Sequence, residues 1–332
     1  MKDITEFRKD IVSGDWVLIS SQIQKKPIFF KVNNVKPLPK SLCPFEDKRL
    51  SEQEDPLLWL PRPGKNDSKD WWVQIFSNKY PVVVGSKICP PLKSYGAYQY
   101  KAGVGFQELV LTRDHKRPMG QMTQKEIELV IEAYKTRFQA LRNEPCVEYI
   151  LIFHNSGPKA GATVPHPHSQ ILALPIIPPD VARSLIGSGD YFRKHKKCVH
   201  CDIITGELKK RVRVIFENKF FVAIAPYASR TTFEVRIFPK IHESHFEALD
   251  ALHSSDLAMA LLFIFRQIRN KMKNPDYNFF IHTAPPKGKN FHHYHWHIEV
   301  LPRLAIFGGV ELGVGIDILK VSPEAAAQIL KK

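Results

Sequence analysis

The sequence His166-Pro167-His168-Ser169-Gln170 is the stretch from which the fold and the chemistry of this chain are predicted. Because side chains alternate between the two faces of an extended strand, His166, His168 and Gln170 are predicted to project together into one cleft. A neutral imidazole can attack phosphorus, and a carboxamide two residues along can donate a hydrogen bond to a phosphoryl oxygen as charge builds there. The alternative is a strand edge with two solvated histidines.

A glycine-containing segment comes just before this strand. It includes Asn155-Ser156-Gly157 and Gly161-Ala162-Thr163. Glycine lets the backbone approach a ligand closely, and successive backbone N–H groups in such a turn form a binding place for anions. The segment is therefore predicted to bring N–H groups close to phosphates.

The same pattern returns near the C-terminus, where His295, His297 and Glu299 overlay on the two histidines and the glutamine of the first copy. A basic turn ending in histidine precedes each copy, with His115 51 residues before His166 and His242 53 residues before His295. Further upstream, each half has a cysteine-containing segment, at 43–46 and at 198–201. Three features in the same order predict an internal duplication.

Length and composition restrict the class of protein. The 332 residues are enough for two units of about 150 residues with separate cores, or for one fused sheet. The 44% hydrophobic and 24% charged residues are typical of a globular protein and exclude disorder. The sequence shows no apolar signal core and no run of about 18 apolar residues, so we expect a cytoplasmic protein with no membrane contact.

The five cysteines and the net charge suggest further expectations. Two cysteines form a C-x-x-C and three are scattered, which favours reduced cysteines and metal binding over a disulfide framework. A net charge of +15 suits a phosphate-bearing small molecule or nucleic acid, although the scattered lysines also fit a simple lysine-rich surface. Basic residues and stacking aromatics do not alternate in one stretch, so a nucleic-acid partner is not expected.

Hydrophobic periodicity predicts the same order of elements in both halves. After an irregular segment at 28–70, the first half has predicted strands at 71–76, 81–84, 106–112, 147–154 and 166–174, with a helix at 123–142. The second half has predicted strands at 211–216, 219–226, 232–239, 277–283 and 293–302, with a helix at 255–272. Each unit is an α+β pattern, a mostly antiparallel sheet with a covering helix, and the join is predicted at 178–197.

These residues resemble the galactose-1-phosphate uridylyltransferases, the two-copy branch of the histidine-triad superfamily. The block at 155–170 is the most specific part of the match, and further matching segments lie at 10–19, 76–81, 198–204, 226–245 and 295–315. The resemblance implies two tandem histidine-triad-like units: 1–178, which carries His-Pro-His and is catalytic, and 190–332, which carries a zinc knuckle. It also implies a homodimer.

The resemblance further implies a double displacement. His168 attacks the α-phosphorus of a sugar nucleotide such as UDP-glucose, glucose 1-phosphate leaves, and a second sugar 1-phosphate takes the nucleotidyl group. Gln170 then holds a non-bridging oxygen, and His166 orients His168. The substrate-binding residues implied by the resemblance are Asn78, Asn155, Gly161, Thr163 and Glu311. For Asn78 and Asn155, turn capping is the alternative.

Two sets of residues are candidates for zinc, which prefers four N or S ligands in a tetrahedron. The second half offers Cys198, Cys201, His242 and His295. The first half offers Cys43, Glu46, His115 and His166, where relatives usually have cysteine in place of Glu46. A carboxylate can also bind zinc. The alternative is that the cysteines are packing residues and the histidines face substrate. His200, inside the knuckle, is expected to be exposed rather than a ligand.

Several positions depart from the family pattern and leave the acceptor open. Relatives have arginines where this chain has Ile23 and Lys26, and Ile306, Val314 and Leu319 replace residues on the sugar side. The first alternative function is therefore an ADP-sugar phosphorylase or adenylyltransferase, with inorganic phosphate or another small anion as the acceptor. An alternative of another class is a nucleotide- or nucleic-acid-binding protein with vestigial catalysis.

Overall fold

The computed structural model describes residues 5–20, 38–46, 55–86, 88–288 and 291–332, so Ile23 and Lys26 lie outside the described residues. The strands are β1 Glu6–Lys9, β2 Trp16–Ile19, β3 Leu58–Pro61, β4 Trp71–Ser77, β5 Lys93–Tyr95, β6 Tyr98–Tyr100, β7 Phe106–Thr112, β8 Tyr149–Ser156, β9 His168–Leu174, β10 Val214–Glu217, β11 Phe221–Ile224, β12 Val235–Pro239, β13 Tyr277–His282, β14 His297–Pro302 and β15 Asp317–Leu319. The α-helices are α1 Gln124–Leu141, α2 Pro179–His195, α3 Val199–Lys210, α4 Ala251–Lys271, α5 Gly309–Val314 and α6 Pro323–Lys331. Short 3-10 helices occur at Lys40–Leu42, Ser68–Asp70, Met119–Gln121, Pro158–Ala160 and Phe246–Ala248.

A ten-stranded sheet runs through both halves of the chain. Its order is β3-β4-β7-β9-β8 followed by β13-β14-β12-β11-β10, so the two halves appear in mirrored order about the centre. The central pair, β8 and β13, is antiparallel, with Asn155 opposite Asn278 and His154 opposite Phe279. Of the two arrangements compatible with the chain length, the structure has the fused sheet. The predicted α+β class with mostly antiparallel strands is confirmed.

Helices α1 and α4 cover one face of this sheet and share a hydrophobic core. The start of α1 is fixed by a capping box, in which Thr123 and Glu126 satisfy each other's backbone N–H groups. The residues that recur at helical spacing in α1 are buried, including Ile127 and Phe138. One continuous apolar cluster includes these side chains together with Leu261 and Phe265 of α4. The two halves therefore bury their apolar surface against each other.

Strands from near both ends of the chain form a second, smaller sheet. β1 pairs with β2 antiparallel, and β15, near the C-terminus, pairs with β2 parallel. β5 and β6 form a separate hairpin. Across the described ranges, no helix is both long and apolar enough to span a membrane.

Some predicted elements are wrong. Residues 81–84 are not a strand but carry a single bridge between Val84 and Val104, because the Val82 N–H donates to the side chain of Gln107 instead of to a neighbouring strand. The 28–70 segment contains β3, which the sequence analysis did not predict.

The predicted join at 178–197 contains α2. Pro179 occupies the first turn of α2, where proline is well tolerated. Gly187 allows α2 to pack closely, since a Cβ there would lie 1.8 Å from the carbonyl oxygen of Val12. Pro179 and Gly187 therefore favour the start of this helix and its close packing.

The cysteine prediction is wrong for one pair. Cys89 and Cys146, 57 residues apart, form a disulfide between the segment after β4 and the turn that follows α1. Cys43, Cys198 and Cys201 do not take part in a disulfide. Spacing along the chain gave no sign of the pairing, because the two cysteines are 57 residues apart.

Candidate active site and metal centres

His168 is the first residue of β9 and is held in one tautomer by the backbone. Its Nδ1 lies 2.8 Å from the carbonyl oxygen of His166, and since a carbonyl can only accept, Nδ1 carries the hydrogen. The Nε2 atom then has a free lone pair. Burial lowers the pKa of His168 below the usual histidine value, although the hydrogen bond to His166 opposes this. His168 is therefore a neutral imidazole with its nucleophilic nitrogen available at neutral pH.

His168 is more enclosed than a strand-edge position would be. It is 8% exposed, and its ring meets the edge of Phe45 at a centroid distance of 5.1 Å. β9 lies between β7 and β8, and His168 pairs with Leu111. The interpretation as a solvated strand edge is therefore wrong.

Gln170 lies two residues along β9, on the same face as His168, and its amide is oriented by a relay. The Val82 N–H donates to Oε1 of Gln107 over 2.8 Å. This leaves Nε2 of Gln107 to donate to Oε1 of Gln170 over 2.7 Å. Because Oε1 of Gln170 is taken, its Nε2 hydrogens are left to donate to a ligand. The sequence analysis missed Gln107, and its only signal was its place in a strand next to β9.

The alternation rule predicted that His166 shares the cleft of His168, but the structure does not place the two rings together. β9 begins only at His168, and the residue before it is Pro167, so the strand alternation does not extend back to His166. His166 is 1% exposed, and its Nε2 donates to the carbonyl oxygen of Thr112 over 2.6 Å. Its carbonyl orients His168, while its ring belongs to the first candidate metal centre.

The 155–167 loop is shaped by two glycines with positive φ. Gly157 has φ +83°, and a Cβ there would lie 1.9 Å from Oδ1 of Asp276. Gly161 has φ +86°, a conformation that residues with a Cβ rarely adopt. Asn155, Thr163 and His166 line a cavity of about 530 Å³ at this loop, together with Lys116 and Arg269. A cavity of this size is within the usual range for small-ligand pockets.

The other two predicted substrate residues have capping roles in the structure. Asn78 Oδ1 accepts from the Tyr80 N–H over 3.0 Å, which is the turn-capping role that the sequence analysis kept as an alternative. Glu311 lies in α5, where its Oε2 accepts from the Gly308 N–H over 2.9 Å. α5 leads into β15 of the small sheet, so Glu311 is not part of the ten-stranded sheet that carries His168.

The second-half candidate metal centre brings together Cys198, Cys201, His242 and His295, with donor atoms all within 4.8 Å of one another. Cys201 Sγ lies 3.4 Å from Nδ1 of His242 and 3.5 Å from Nδ1 of His295. Nε2 of His295 donates to the carbonyl oxygen of Pro239 over 3.0 Å, which leaves Nδ1 with a lone pair. A hydrogen bond from Cys201, with help from His200 and His295, holds the pKa of Cys198 well below its usual range.

This donor set of two thiols and two imidazoles suits a tetrahedral divalent metal. The expectation that His200 is exposed is wrong. It is 1% exposed and tilts against His297 at 5.1 Å between ring centroids.

The first-half centre brings together Cys43, Glu46, His115 and His166. Nδ1 of His166 is 3.6 Å from Cys43 Sγ, and Nδ1 of His115 is 2.9 Å from Oε1 of Glu46. Nε2 of His115 donates to the carbonyl oxygen of Leu38 over 2.6 Å, so its Nδ1 has a lone pair facing a carboxylate. These two buried atoms have no hydrogen-bond partner. Two acceptors facing each other in a buried place fit a bound cation between them.

The second-half counterpart of the nucleophile position has a different environment. Glu299 stands where the first half has Gln170, and its carboxylate is paired with Arg230 and, at 2.9 Å, with Arg236. Burial alone would raise the pKa of Glu299, but these two guanidinium groups hold it well below its usual range. Nε2 of His297 faces this carboxylate at 3.6 Å. Glu299 replaces the amide donor of the first half, so His297 has a carboxylate acceptor beside it instead of a donor for a phosphoryl oxygen.

Comparisons with known proteins agree with this arrangement. The family model described as "Galactose-1-phosphate uridyl transferase, N-terminal domain" matches residues 1–178, and its C-terminal counterpart matches residues 187–330. The ADP-glucose phosphorylase of Arabidopsis thaliana is 34% identical over 98% of this chain and 92% of its own length. The galactose-1-phosphate uridylyltransferase of Thermotoga maritima is 28% identical over 98% of both chains. A crystal structure of an Arabidopsis thaliana ADP-glucose phosphorylase with bound ADP-glucose superposes with a TM-score of 0.83, at 31% identity over 99% of both chains.

Proposed function

The chain belongs to the galactose-1-phosphate uridylyltransferase family, and we propose that it transfers a nucleotidyl group between two phosphorylated substrates through a covalent intermediate on His168. The family consists of nucleotidyltransferases, so the chain is an enzyme. The observation that carries the proposal is the fixed tautomer of His168, a buried neutral imidazole with Nε2 free.

The reaction has two balanced steps. In the first, Nε2 of His168 attacks the α-phosphorus, a P–N bond forms, and the bond between that phosphorus and the bridging oxygen breaks. The departing sugar 1-phosphate keeps this oxygen. In the second step, a phosphate oxygen of the acceptor attacks the same phosphorus and the P–N bond breaks. One nucleophile serves both steps because the second is the chemical reverse of the first.

The surrounding residues stabilise charge on the transferred phosphoryl group. Gln170 donates to a non-bridging oxygen, and its orientation is already set by Gln107. Preorganised donors of this kind are typically worth about 3–4 kcal/mol each in the transition state. Asn155, Gly161 and Thr163 line the phosphate path, while Asn78 and Glu311 are proposed as nucleotide-side and sugar-side contacts.

We assign zinc to both candidate metal centres, with a structural role. The ligands are Cys198, Cys201, His242 and His295 in the second half, and Cys43, Glu46, His115 and His166 in the first half. In the first half, His166 is both a ligand and the residue whose carbonyl accepts from His168. Holding the ring of His166 therefore also holds the nucleophile in place.

For the substrates, we propose UDP-glucose as the donor and a hexose 1-phosphate as the acceptor. A second candidate is the phosphorolysis of ADP-glucose, which is favoured by the 34% identity to a relative named for that activity. The replacement of sugar-side residues by Ile306, Val314 and Leu319 also supports an acceptor smaller than a hexose phosphate. We also propose a homodimer, which the exposed apolar side chains of Ile306 and Leu312 support, at 88% and 75% exposure.

Isotope exchange tests the reaction class and the substrates together. The enzyme is mixed with one sugar nucleotide and labelled glucose 1-phosphate, with no other acceptor. A double displacement moves the label into the sugar nucleotide, because the first step is reversible alone. UDP-glucose and ADP-glucose are run in parallel, and the nucleotide that supports exchange is the donor. Turnover of a nucleotide in a parallel reaction with an added acceptor, but no exchange without it, would rule out the covalent route, and neither turnover nor exchange would favour a binding protein.

A further inference from the structure

Asn278 belongs to the second half of the chain but contacts the phosphate loop of the first half. It lies on β13, directly opposite Asn155 of β8 at the centre of the fused sheet. Its Nδ2 is 2.8 Å from Oδ1 of Asn155 and 2.8 Å from the carbonyl oxygen of Ala160. One amide group thus connects the side chain of Asn155 to the turn before Gly161.

The backbone contact settles which way both amides point. The carbonyl of Ala160 can only accept, so the group of Asn278 that faces it is the NH₂ group. The same NH₂ group faces Asn155, and the atom of Asn155 beside it must then be Oδ1. The Nδ2 of Asn155 is turned the other way, 3.8 Å from the position of a Cβ on Gly161. Asn155 therefore presents hydrogen-bond donors, and no acceptor, toward the Gly161 side of the phosphate loop.

A second contact from the same strand end holds the other side of the turn. Asp276, two residues before Asn278, accepts from the Lys159 N–H over 2.7 Å. Gly157 lies against this carboxylate so closely that any side chain there would displace it. Asn278 and Asp276 together hold Lys159 and Ala160, the two residues that lead into Gly161.

We propose that Asn278 is a positioning residue for nucleotidyl transfer, which makes the second half of the chain a contributor to the first-half active site. It turns the amide of Asn155 so that Nδ2 donates to a phosphoryl oxygen, and it fixes the turn that carries Gly161 and Thr163. This inference rests on the proposed function, and it adds a role for the half whose own nucleophile position faces a carboxylate.

The test compares Asn278→Asp and Asn278→Ala with wild type. The introduced carboxylate cannot donate, so Asn155 must turn and present Oδ1 to the phosphates. Loss of such an orienting partner typically reduces activity by about 10- to 100-fold. We expect this loss in the rate at which His168 takes up the nucleotidyl group. The matched control is Asn270→Asp, the same substitution at an exposed position on α4, which should keep the wild-type rate.

The pH profile separates positioning from a general structural effect. A protonated carboxyl group can donate again, and burial raises carboxyl pKa values above about 4. The ratio of the Asn278→Asp rate to the wild-type rate should therefore rise as pH falls from about 8 to about 5.5, whereas the Asn278→Ala ratio stays flat. Melting temperatures of all variants are measured alongside, since a folded but slow enzyme is the expected result.

Two outcomes overturn the inference. One is an Asn278→Asp enzyme that labels His168 at the wild-type rate. The other is that both Asn278 variants have the same ratio of variant rate to wild-type rate and that this ratio does not change with pH. Failure of the proposed function has a different result, because the wild-type enzyme itself would then take up no label from any sugar nucleotide.

Discussion

The chemistry of the site is decided by hydrogen bonds to single atoms. The sequence suggested His168 and Gln170 as a nucleophile and its neighbour, and the structure places both on one face of β9. The sequence did not reveal how these two side chains are oriented. The carbonyl of His166 sets the tautomer of His168, and Gln107 sets the amide of Gln170. The contact between Gln107 and Gln170 joins two strands that are 63 residues apart, so no local pattern predicts it.

Two of the sequence predictions fail for the same kind of reason. The alternation rule assigned His166 to the substrate cleft, but the rule holds only inside a strand, and β9 starts after Pro167. His200, inside the knuckle, was expected to be exposed rather than a ligand, but it is buried beside His297. In both cases the sequence identified a histidine of interest but did not predict which residues surround it.

His154 makes the fold sensitive to acid. It lies on β8, where its ring stacks on that of Phe279, and burial, with a smaller effect of His168, lowers its pKa to about 3 from the usual 6.5. Between these two values the unfolded chain binds a proton at this residue and the folded chain does not. The free energy of unfolding therefore falls as pH falls from about 6.5 toward 3, by up to about 1.4 kcal/mol per pH unit.

The measurement is the melting temperature as a function of pH for wild type and for His154→Asn. The variant is expected to melt at a lower temperature at neutral pH but with a shallower slope between about pH 6 and pH 4. His195→Asn, at an exposed position on α2, is the control and should keep the wild-type slope. Equal slopes for wild type and His154→Asn would contradict the assignment.

At the scale of elements, the internal repeat made the strands predictable. Strands near β4, β7, β9 and β14 and the two covering helices were predicted from periodicity, and all of them form. The failure at 81–84 has a physical reason, because a side-chain contact from Gln107 takes the Val82 N–H that a strand would pair with a neighbour.

The second-half candidate metal centre takes its ligands from elements that are far apart along the chain. Cys198 and Cys201 flank the start of α3, while His242 and His295 follow β12 and precede β14. Because metal-binding free energy is also folding free energy, removing the metal should lower the melting temperature by at least about 5 °C.

The expected result for Cys201→Ser is the loss of about one equivalent of zinc per chain. The variant should also lose most of the decrease in melting temperature that a chelator causes in the wild type. Cys43→Ser is the matched comparison, and it should affect the other centre instead. A wild-type protein that holds no zinc, or that melts unchanged after chelation, would be inconsistent with this centre.

At the scale of the whole molecule, the two halves share one sheet and one hydrophobic core. The sequence left open whether the halves have separate cores, and pattern alone had no means to decide. The structure joins them through β8 and β13 and through a single apolar cluster that includes both α1 and α4. Asn278 of the second half also contacts Asn155, a proposed active-site residue of the first half.

A substitution that destabilises one half should therefore also destabilise the other half. Phe265 of α4 is 2% exposed and contacts Tyr277 and Phe279 of β13. Phe265→Ala should reduce the free energy of unfolding by about 3–5 kcal/mol. Hydrogen exchange of the slowest amides in β9 and in β12 should then accelerate by the same factor. Faster exchange in β12 alone would show that the two halves unfold separately.

The most direct measurement of the central claim is to trap the enzyme during the first half-reaction and identify the modified residue. Wild-type enzyme is incubated with a sugar nucleotide, quenched under basic conditions in which a phosphoramidate survives, digested, and analysed by mass spectrometry. We predict a nucleotidyl group on His168, absent from His168→Asn and present in His297→Asn. A product-forming enzyme whose His168 stays unmodified, or a label on any other residue, would contradict this account.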